Sequence, residues 1–342
     1  MAQGLLQLKG TIDILQFWPE NMSDGDTVTV TVDPDGFEFS PDPVHHEPFR
    51  VTHIFDEAVS QGSGTKKVVH NGKVTIRFEH SDSAELHYSA PITGSRIFRQ
   101  FTGETAAVQL HERIASVSAR PVPCKVRTAV DHPSDVFDTY GRMIGQIFIY
   151  PEGRELNLNY WMIQNGWAFP AVYNSADPAE ISEVLRLADE ARKARRGVWG
   201  CLSNSLLNPD FSLLFRPHGV PMPQDDIGPL VIPKLFRRQV LWHVQKQAHK
   251  FSGAFTHFLE KQKDGWVRMG DFLADPEIKP TPKTRNLSEL VDEHGIFMAA
   301  PADIVFFEKP SALRDSKGKK ITSWWKTPSA ATKKEEKHTV AA

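Results

Sequence analysis

The stretch Asn21-Met-Ser-Asp-Gly-Asp-Thr-Val-Thr-Val-Thr-Val32 places a polar turn directly before six residues in which threonine and valine alternate. Alternation of this kind, with β-branched residues throughout, is typical of a strand that buries one face. An earlier alternation runs from Leu6 to Ile14. Residues 5–32 are therefore predicted to form two strands joined by the polar turn.

Further turn and strand patterns follow in the first 90 residues. Asp33-Pro-Asp-Gly36 is a turn signal, and Asn71-Gly72 lies between Lys67-Val-Val-His70 and Lys73-Val-Thr-Ile-Arg-Phe78. An Asn-Gly pair between apolar runs is a strong hairpin signal. We expect mostly β structure here, with residues 34–72 forming an elaborated hairpin.

The hydrophobic period then changes to that of a helix. Ala107, Leu110 and Ile114 recur at helical spacing, with Thr102 available as the N-cap and Glu104 in the first turn, where a carboxylate suits the helix dipole. Strand patterns return at 125–130 and 142–150.

Two more helices are predicted after these strands. One lies near 156–165 and stops at Gly166, because glycine tolerates the left-handed conformation past a helix end. The other follows Asp177-Pro-Ala-Glu180, which offers an acidic N-cap, proline at the first helical position and glutamate three residues after the cap.

The order of these patterns indicates an α+β unit with strands and three helices over residues 1–200. We expect a Pro-rich linker over 201–233, a C-terminal α+β domain of unknown fold and role over 234–326, and a disordered tail over 327–342.

Charge is distributed unevenly over a chain of 342 residues with a formal net charge of −2. Residues 201–342 hold 21 basic and 16 acidic side chains, a net +5, whereas residues 1–200 hold 19 and 26, a net −7. A uniformly basic coat for nucleic acid is excluded. Carboxylates in the first part would repel phosphate unless they had a specific task.

The sequence carries no strong signal for targeting, for membrane insertion or for disulfide formation. The N-terminus lacks a signal-peptide pattern, no run is long enough to cross a bilayer, and two cysteines cannot form a disulfide framework. A reduced, cytoplasmic protein with no membrane partner is the simplest expectation.

Three short motifs carry candidate chemistry in chain order. Ser23-Asp-Gly-Asp-Thr27 enters a strand, Arg77-Phe-Glu-His-Ser-Asp82-Ser-Ala-Glu85 reads as a strand ending in Asp82, and Asp138-Thr-Tyr-Gly-Arg142 opens a later strand. Taken singly, the first is an ordinary turn, and the second could be a surface row of ion pairs worth little energetically.

Together the motifs resemble the staphylococcal-nuclease-like, or thermonuclease, family over about residues 5–200. Leu158-Asn-Tyr-Trp-Met-Ile-Gln-Asn-Gly-Trp-Ala168 is similar to the second helix of that family, and Ala191-Arg-Lys-Ala-Arg-Arg-Gly-Val-Trp199 to its closing helix. The resemblance implies an OB-fold β-barrel with three helices.

The resemblance also implies roles for the matching residues. Asp26, Asp82 and the Ser83 carbonyl would bind one Ca²⁺, an ion that prefers oxygen ligands. Glu85 would orient or deprotonate the attacking water, while Arg77 and Arg142 would bind the phosphate through their fork-shaped donors. Tyr140 and Tyr173 would contact the nucleotide.

The spacing of the second motif sets a geometric condition. A straight strand would separate Arg77 from Asp82 by about 16 Å, so we expect the strand to curl and the arginine to reach back. An upstream stretch, Phe49-Arg50 to Asp56-Glu57, is superficially similar. Its Arg-to-Asp gap is one residue too long, so Arg50 is assigned to the hairpin elaboration, which makes the insertion between Asp26 and Arg77 long.

Two functions from different classes fit these observations. The first is a nuclease, a Ca²⁺-dependent phosphodiesterase acting on DNA, RNA or both; the resemblance implies that it leaves 3′-phosphates. The second is an inactive nuclease-like module that binds nucleic acid or a protein partner, which the net −7 and the insertion favour. A third possibility, that the C-terminal part is the active one, has no catalytic constellation to support it.

Overall fold

The computed structural model describes residues 4–17, 20–51, 58–61, 64–92, 94, 96–131, 136–138, 140–202, 230–276, 278, 285–307 and 313–314. The expected tail over 327–342 and most of the expected linker lie outside these residues. Division of the chain into domains stays a prediction.

Five strands close into a barrel: β1 (Leu5–Ile12), β2 (Thr27–Ser40), β3 (Lys73–Phe78), β4 (Val122–Ala129) and β5 (Met143–Ile149). The order around the barrel is β1-β2-β3-β5-β4, and β4 pairs back with β1. All these pairs are antiparallel except β3 with β5. This closed barrel with helices confirms the predicted α+β class and OB-type fold.

The described residues also form seven α-helices: α1 (Gly103–Ala115), α2 (Leu158–Gln164), α3 (Pro178–Lys193), α4 (Val198–Cys201), α5 (Pro233–Gln247), α6 (Phe255–Gln262) and α7 (Met269–Ala274). Short 3-10 helices span Ile14–Gln16, Pro151–Gly153, Leu287–Leu290 and Pro301–Asp303. The remaining strands are Phe49–Arg50, Ala58–Gln61, Gly64–Lys67, Val69–His70, Ser81–Ser83, Tyr88–Ser89, Ile97–Phe98, Leu156–Asn157, Ala168–Pro170, Val172–Tyr173, Trp266–Arg268, Ile304–Phe306 and Leu313–Arg314.

The insertion between β2 and β3 is an elaboration of their hairpin. Asn71 (φ 51°) and Gly72 (φ 70°) form the predicted tight turn, since both are in the left-handed region that such a turn requires. The expected turn at 33–36 is instead a bulge inside β2, because Leu8 pairs with Phe37 and Gly10 with Val32. Phe49–Arg50 pairs with β2, as the assignment of Arg50 to the hairpin requires; residues 52–57 lie outside the described residues.

At two of the three predicted helices, the capping contacts at the N-terminus differ from the prediction. Thr102 precedes α1 with φ 70° and makes no capping hydrogen bond, and Glu104 pairs with the buried Arg99 at 3.3 Å. Asp177 does cap α3 by accepting from the Ala179 amide at 2.8 Å. The capping box is not completed, because Glu180 turns toward the barrel.

Part of the C-terminal region shares a core with the barrel's helices. Leu235 and Phe236 of α5 belong to the same buried cluster as Phe169 and Trp199, whose rings meet edge to face at 5.6 Å. Val172–Tyr173 also pairs in parallel with Val305–Phe306. The described part of residues 230–306 is thus joined to the helices and segments beside the barrel by both apolar burial and backbone hydrogen bonds.

A buried asparagine ties α2 to the barrel. The Asn159 side chain is fully buried, donates to the carbonyls of Glu79 and Gly145 at 2.9 and 3.0 Å, and accepts from the Ile147 amide at 3.0 Å. Its loss would leave three backbone groups without that partner, and each unsatisfied buried group is expensive.

We therefore expect Asn159→Ala to lower the free energy of unfolding by about 3 kcal/mol or more, measured by urea denaturation. Asn165→Ala is the matched control, because Asn165 at the end of the same helix is half-buried and donates only to the Trp161 carbonyl. We expect the control to lose less than about 1 kcal/mol. Equal losses in the two variants would contradict this role for Asn159.

Candidate functional site

Asp26 occupies the entrance to β2 and is buried. The register pairs Thr27 with Arg77, so the sheet brings the Asp26 carboxylate next to the Arg77 guanidinium, with which it forms an ion pair. The Ser83 amide donates to the second Asp26 oxygen at 2.7 Å. Gly25 permits this approach, because a Cβ there would lie 2.9 Å from the Ser83 hydroxyl oxygen.

Asp82 meets Arg77 through a turn in the chain rather than through a curled strand. β3 ends at Phe78, His80 adopts a left-handed conformation (φ 59°), and Ser81–Ser83 then pairs with Ala168–Pro170. The expected continuous strand from Arg77 to Asp82 is therefore wrong. The reversal lets one guanidinium form ion pairs with both Asp26 and Asp82.

Glu85 is anchored by its backbone at the end of this segment. The Glu85 amide donates to the Gln100 side chain at 3.0 Å, and the Gln100 amide donates to the Glu85 carbonyl at 2.7 Å. The largely buried Glu85 carboxylate forms an ion pair with Arg237 of α5. Burial raises the pKa of Glu85, although Arg237 opposes the rise.

Arg237 is a member of the site that the sequence reasoning missed. One of its terminal nitrogens pairs with Glu85, and the other lies 3.5 Å from an Asp82 oxygen. The available signal was the clustering of Lys234, Arg237 and Arg238 at helical spacing. That signal does not reveal which surface the basic face of the helix meets.

Asp24, which directly precedes Gly25 in the turn, is a second member of the site that the sequence reasoning missed. One of its carboxylate oxygens is buried and has no hydrogen-bond partner among the described residues. Its charge helps to raise the pKa of Asp26 and of Glu85. The Asp-Gly-Asp repeat of carboxylates was its sequence signal.

The four acidic residues Asp24, Asp26, Asp82 and Glu85, here called the carboxylate cluster, carry more charge than their neighbours balance. Arg77 and Arg237 supply two positive charges against four negative ones. Burial, together with the other three carboxylates, raises the pKa of Asp26 despite the opposing Arg77. Oxygen donors and an unpartnered Asp24 oxygen fit a divalent cation such as Ca²⁺.

The other predicted residues lie outside the direct ion pairs of this cluster. Arg142 donates to Asp138 from its side-chain Nε at 2.7 Å, and its guanidinium lies 5.6 Å from the centre of the exposed Tyr140 ring. Tyr173 is half-buried and helps to raise the pKa of Arg77 and Arg237. The alternative of a surface row of ion pairs formed by Arg77, Asp82 and Glu85 does not hold, because all three side chains are largely buried.

A neighbouring group, Glu79, His80 and Glu180, could also supply three ligand atoms to a metal. His80 Nε2 lies 3.1 Å from a Glu180 oxygen, and Gln146 donates to the other Glu180 oxygen at 2.7 Å. Although burial raises the pKa of Glu180, these hydrogen bonds lower it below its usual value. The group therefore acts as a polar tie between α3 and the chain reversal that positions Asp82.

The protein belongs to the α+β class and has an OB-type barrel with a carboxylate cluster. A comparison with protein families identifies part of the chain further. Residues 103–201 match the model of the family described as staphylococcal nuclease homologue. The matched segment contains Tyr140, Arg142 and Tyr173. Residues 103–201 are therefore similar to this family, and a domain of this kind suggests a nuclease-type or nucleic-acid-binding function.

The match begins after the carboxylate cluster, whereas the sequence resemblance extends over about residues 5–200. The long insertion in the β2–β3 hairpin falls in the unmatched part. A search of curated proteins gave no match. Among the described residues, no helix has the length and apolar character needed to cross a bilayer.

Lys234 provides a test of the electrostatics beside the site. Its ammonium lies 4.5 Å from the centre of the Phe306 ring and 5.8 Å from that of Tyr173. Burial lowers its pKa to about 8, with Arg237 and Arg238 adding to the fall, while Asp264 and Asp82 oppose it. The unfolded chain therefore holds this proton up to a higher pH than the folded one.

Stability contributed by Lys234 should consequently rise as pH increases above 8. We expect the free energy of unfolding of the natural protein, measured relative to Lys234→Met, to increase by about 2 kcal/mol between pH 7 and pH 9.5. Urea denaturation at the two pH values measures this difference. A constant difference would show that Lys234 is not desolvated in the folded state.

Proposed function

We propose that this protein is a Ca²⁺-dependent phosphodiesterase that hydrolyses DNA, RNA or both. The observation that carries the proposal is the convergence of Asp26, Arg77, Asp82 and Glu85 at one buried site of a nuclease-type barrel. Four acidic groups held beside a phosphate-binding type of side chain are costly to bury unless they have a task.

The residues divide the work of hydrolysis among them. Asp26, Asp82 and the Ser83 carbonyl would hold Ca²⁺, with Asp24 close enough to add charge. The bound ion would stabilise negative charge on the phosphate oxygens. Glu85 would accept a proton from the attacking water. Its backbone hydrogen bonds with Gln100 hold it near the N-terminal end of α1.

The arginines bind the phosphate group. Arg77 presents two terminal nitrogens, already satisfied by Asp26 and Asp82, and would exchange part of this pairing for nonbridging phosphate oxygens when a cation neutralises the carboxylates. Arg142 is held by Asp138 at the start of β5, and Tyr140 and Tyr173 offer rings for nucleotide contacts. The substrate partner is therefore nucleic acid.

The alternative function is a nuclease-like barrel that binds nucleic acid or a protein without cleaving. One observation favours it: Arg237 already pairs with the proposed base Glu85 and approaches the proposed metal ligand Asp82. The net −7 of residues 1–200 also weakens nonspecific attraction to phosphate. An assay of cleavage separates the two functions.

We expect the full chain to cleave single-stranded oligonucleotides and plasmid DNA with Ca²⁺ and not with a chelator. Glu85→Gln should lower kcat by about 100-fold or more, since the general base is removed. It should leave Ca²⁺ affinity, measured by calorimetry, largely intact, because Asp26 and Asp82 remain.

Glu112→Gln is the matched control, because Glu112 is an exposed carboxylate on α1. We expect this variant to cleave as the natural protein does. Full Ca²⁺-dependent cleavage by Glu85→Gln would refute the assigned base. Binding of oligonucleotides without any cleavage by the natural protein would favour the alternative function.

A further inference from the structure

The C-terminal region contributes a side chain to the carboxylate cluster. Arg237, the fifth residue of α5, reaches Glu85 with one terminal nitrogen and Asp82 with the other. It thus spans the residue proposed as the base and a residue proposed to bind the metal. A guanidinium can do this because its terminal nitrogens form a rigid planar fork, which an ammonium lacks.

Arg237 is held in place by a packed interface. Leu235, Phe236 and Val240 of α5 are buried in the same cluster as Phe169 and Trp199. A segment that had to withdraw before the site could work would be attached by few buried apolar contacts. Withdrawal of α5 would instead expose a core that the barrel's helices share.

Polar contacts hold α5 on both sides of Arg237. Gln100, which anchors the Glu85 backbone, also donates to the Val231 carbonyl at 2.7 Å, just before α5 begins. Arg238 forms two hydrogen bonds with the buried Asp264, one of them at 2.7 Å. One glutamine therefore links the position of Glu85 to the position of the helix that carries Arg237.

We propose that Arg237 is a positioning residue of the site, which sets the orientation of the Glu85 carboxylate relative to Asp82, so that the barrel and the C-terminal region form one composite site. This inference rests on the proposed hydrolytic function. Arg237 acts through Glu85, and its positive charge beside Asp82 opposes binding of a cation there.

The two effects of Arg237 have opposite signs and can be measured separately. In the full chain, Arg237→Gln should bind Ca²⁺ more tightly, by roughly fivefold, because a positive charge near the cation is lost. The same variant should lower kcat by about 10–100-fold with KM changed much less, because the base loses its orientation. Arg237→Lys should recover part of kcat, since it restores the charge but not the fork.

The measurements are Ca²⁺ calorimetry, kcat and KM on a single-stranded oligodeoxynucleotide, and the melting temperature. Lys246→Gln is the control, because Lys246 is an exposed cation near the end of the same helix. It should match the natural protein in all of these measurements. Arg237→Lys keeps the test usable if Arg237→Gln does not fold.

Each other outcome overturns the proposal. Tighter Ca²⁺ binding with higher kcat would make Arg237 a blocking residue. Weaker Ca²⁺ binding, lower kcat and a lower melting temperature together would make its role purely structural, and unchanged values would leave it no role. Failure of the natural protein itself to cleave would instead sink the proposed hydrolytic function, and the positioning role with it.

Discussion

Burial of two carboxylates, Asp26 and Asp82, beside one arginine is the constraint on which the site depends. Asp26 and Asp82 belong to segments separated by more than fifty residues, and both pair with Arg77. Removing charge from water is expensive, and the fold offsets this cost by placing a guanidinium against each of these two carboxylates. The register of β2 against β3 places the first carboxylate beside Arg77, and the chain reversal at His80 brings in the second.

The same constraint explains why several polar side chains form hydrogen bonds with the segment that carries Asp82. The reversal after β3 requires a left-handed conformation at His80, which is unusual for a residue with a side chain. Glu180 holds the His80 ring, and Asn159 holds the carbonyl of Glu79. Helices α2 and α3 thus stabilise the short segment that carries Asp82 and leads to Glu85.

Charge balance also gives the C-terminal region a place in the site. Arg77 pairs with two of the four carboxylates, and Arg237 adds a second positive charge at Glu85 and Asp82. A helix rich in apolar residues carries this charge, so the apolar interface and the ion pair support each other. In isolation the sequence of α5 shows only a basic helix.

Local patterns were sufficient for much of the fold. Alternation of valine and threonine predicted β2, the Asn71-Gly72 pair predicted a hairpin, and Asp177-Pro178 predicted the start of α3, because these signals depend on backbone preferences within a few residues. The resemblance to the nuclease-like family nominated Asp26, Arg77, Asp82 and Glu85 together, although their catalytic roles stay predictions. Local chemistry also misled, since Thr102 precedes α1 without capping it and Glu180 contacts His80 and Gln146 instead of completing a capping box.

What the sequence by itself determined was most of the strands and helices of residues 1–200 and the chemical types near the site. Only the tertiary structure decided that the chain reverses at His80, that Asp24 turns a carboxylate oxygen inward, and that Arg237 reaches the cluster from 152 residues beyond Glu85. The physical reason is that ion pairing depends on distance in space, and the packing of α5 against the barrel sets that distance independently of any local pattern.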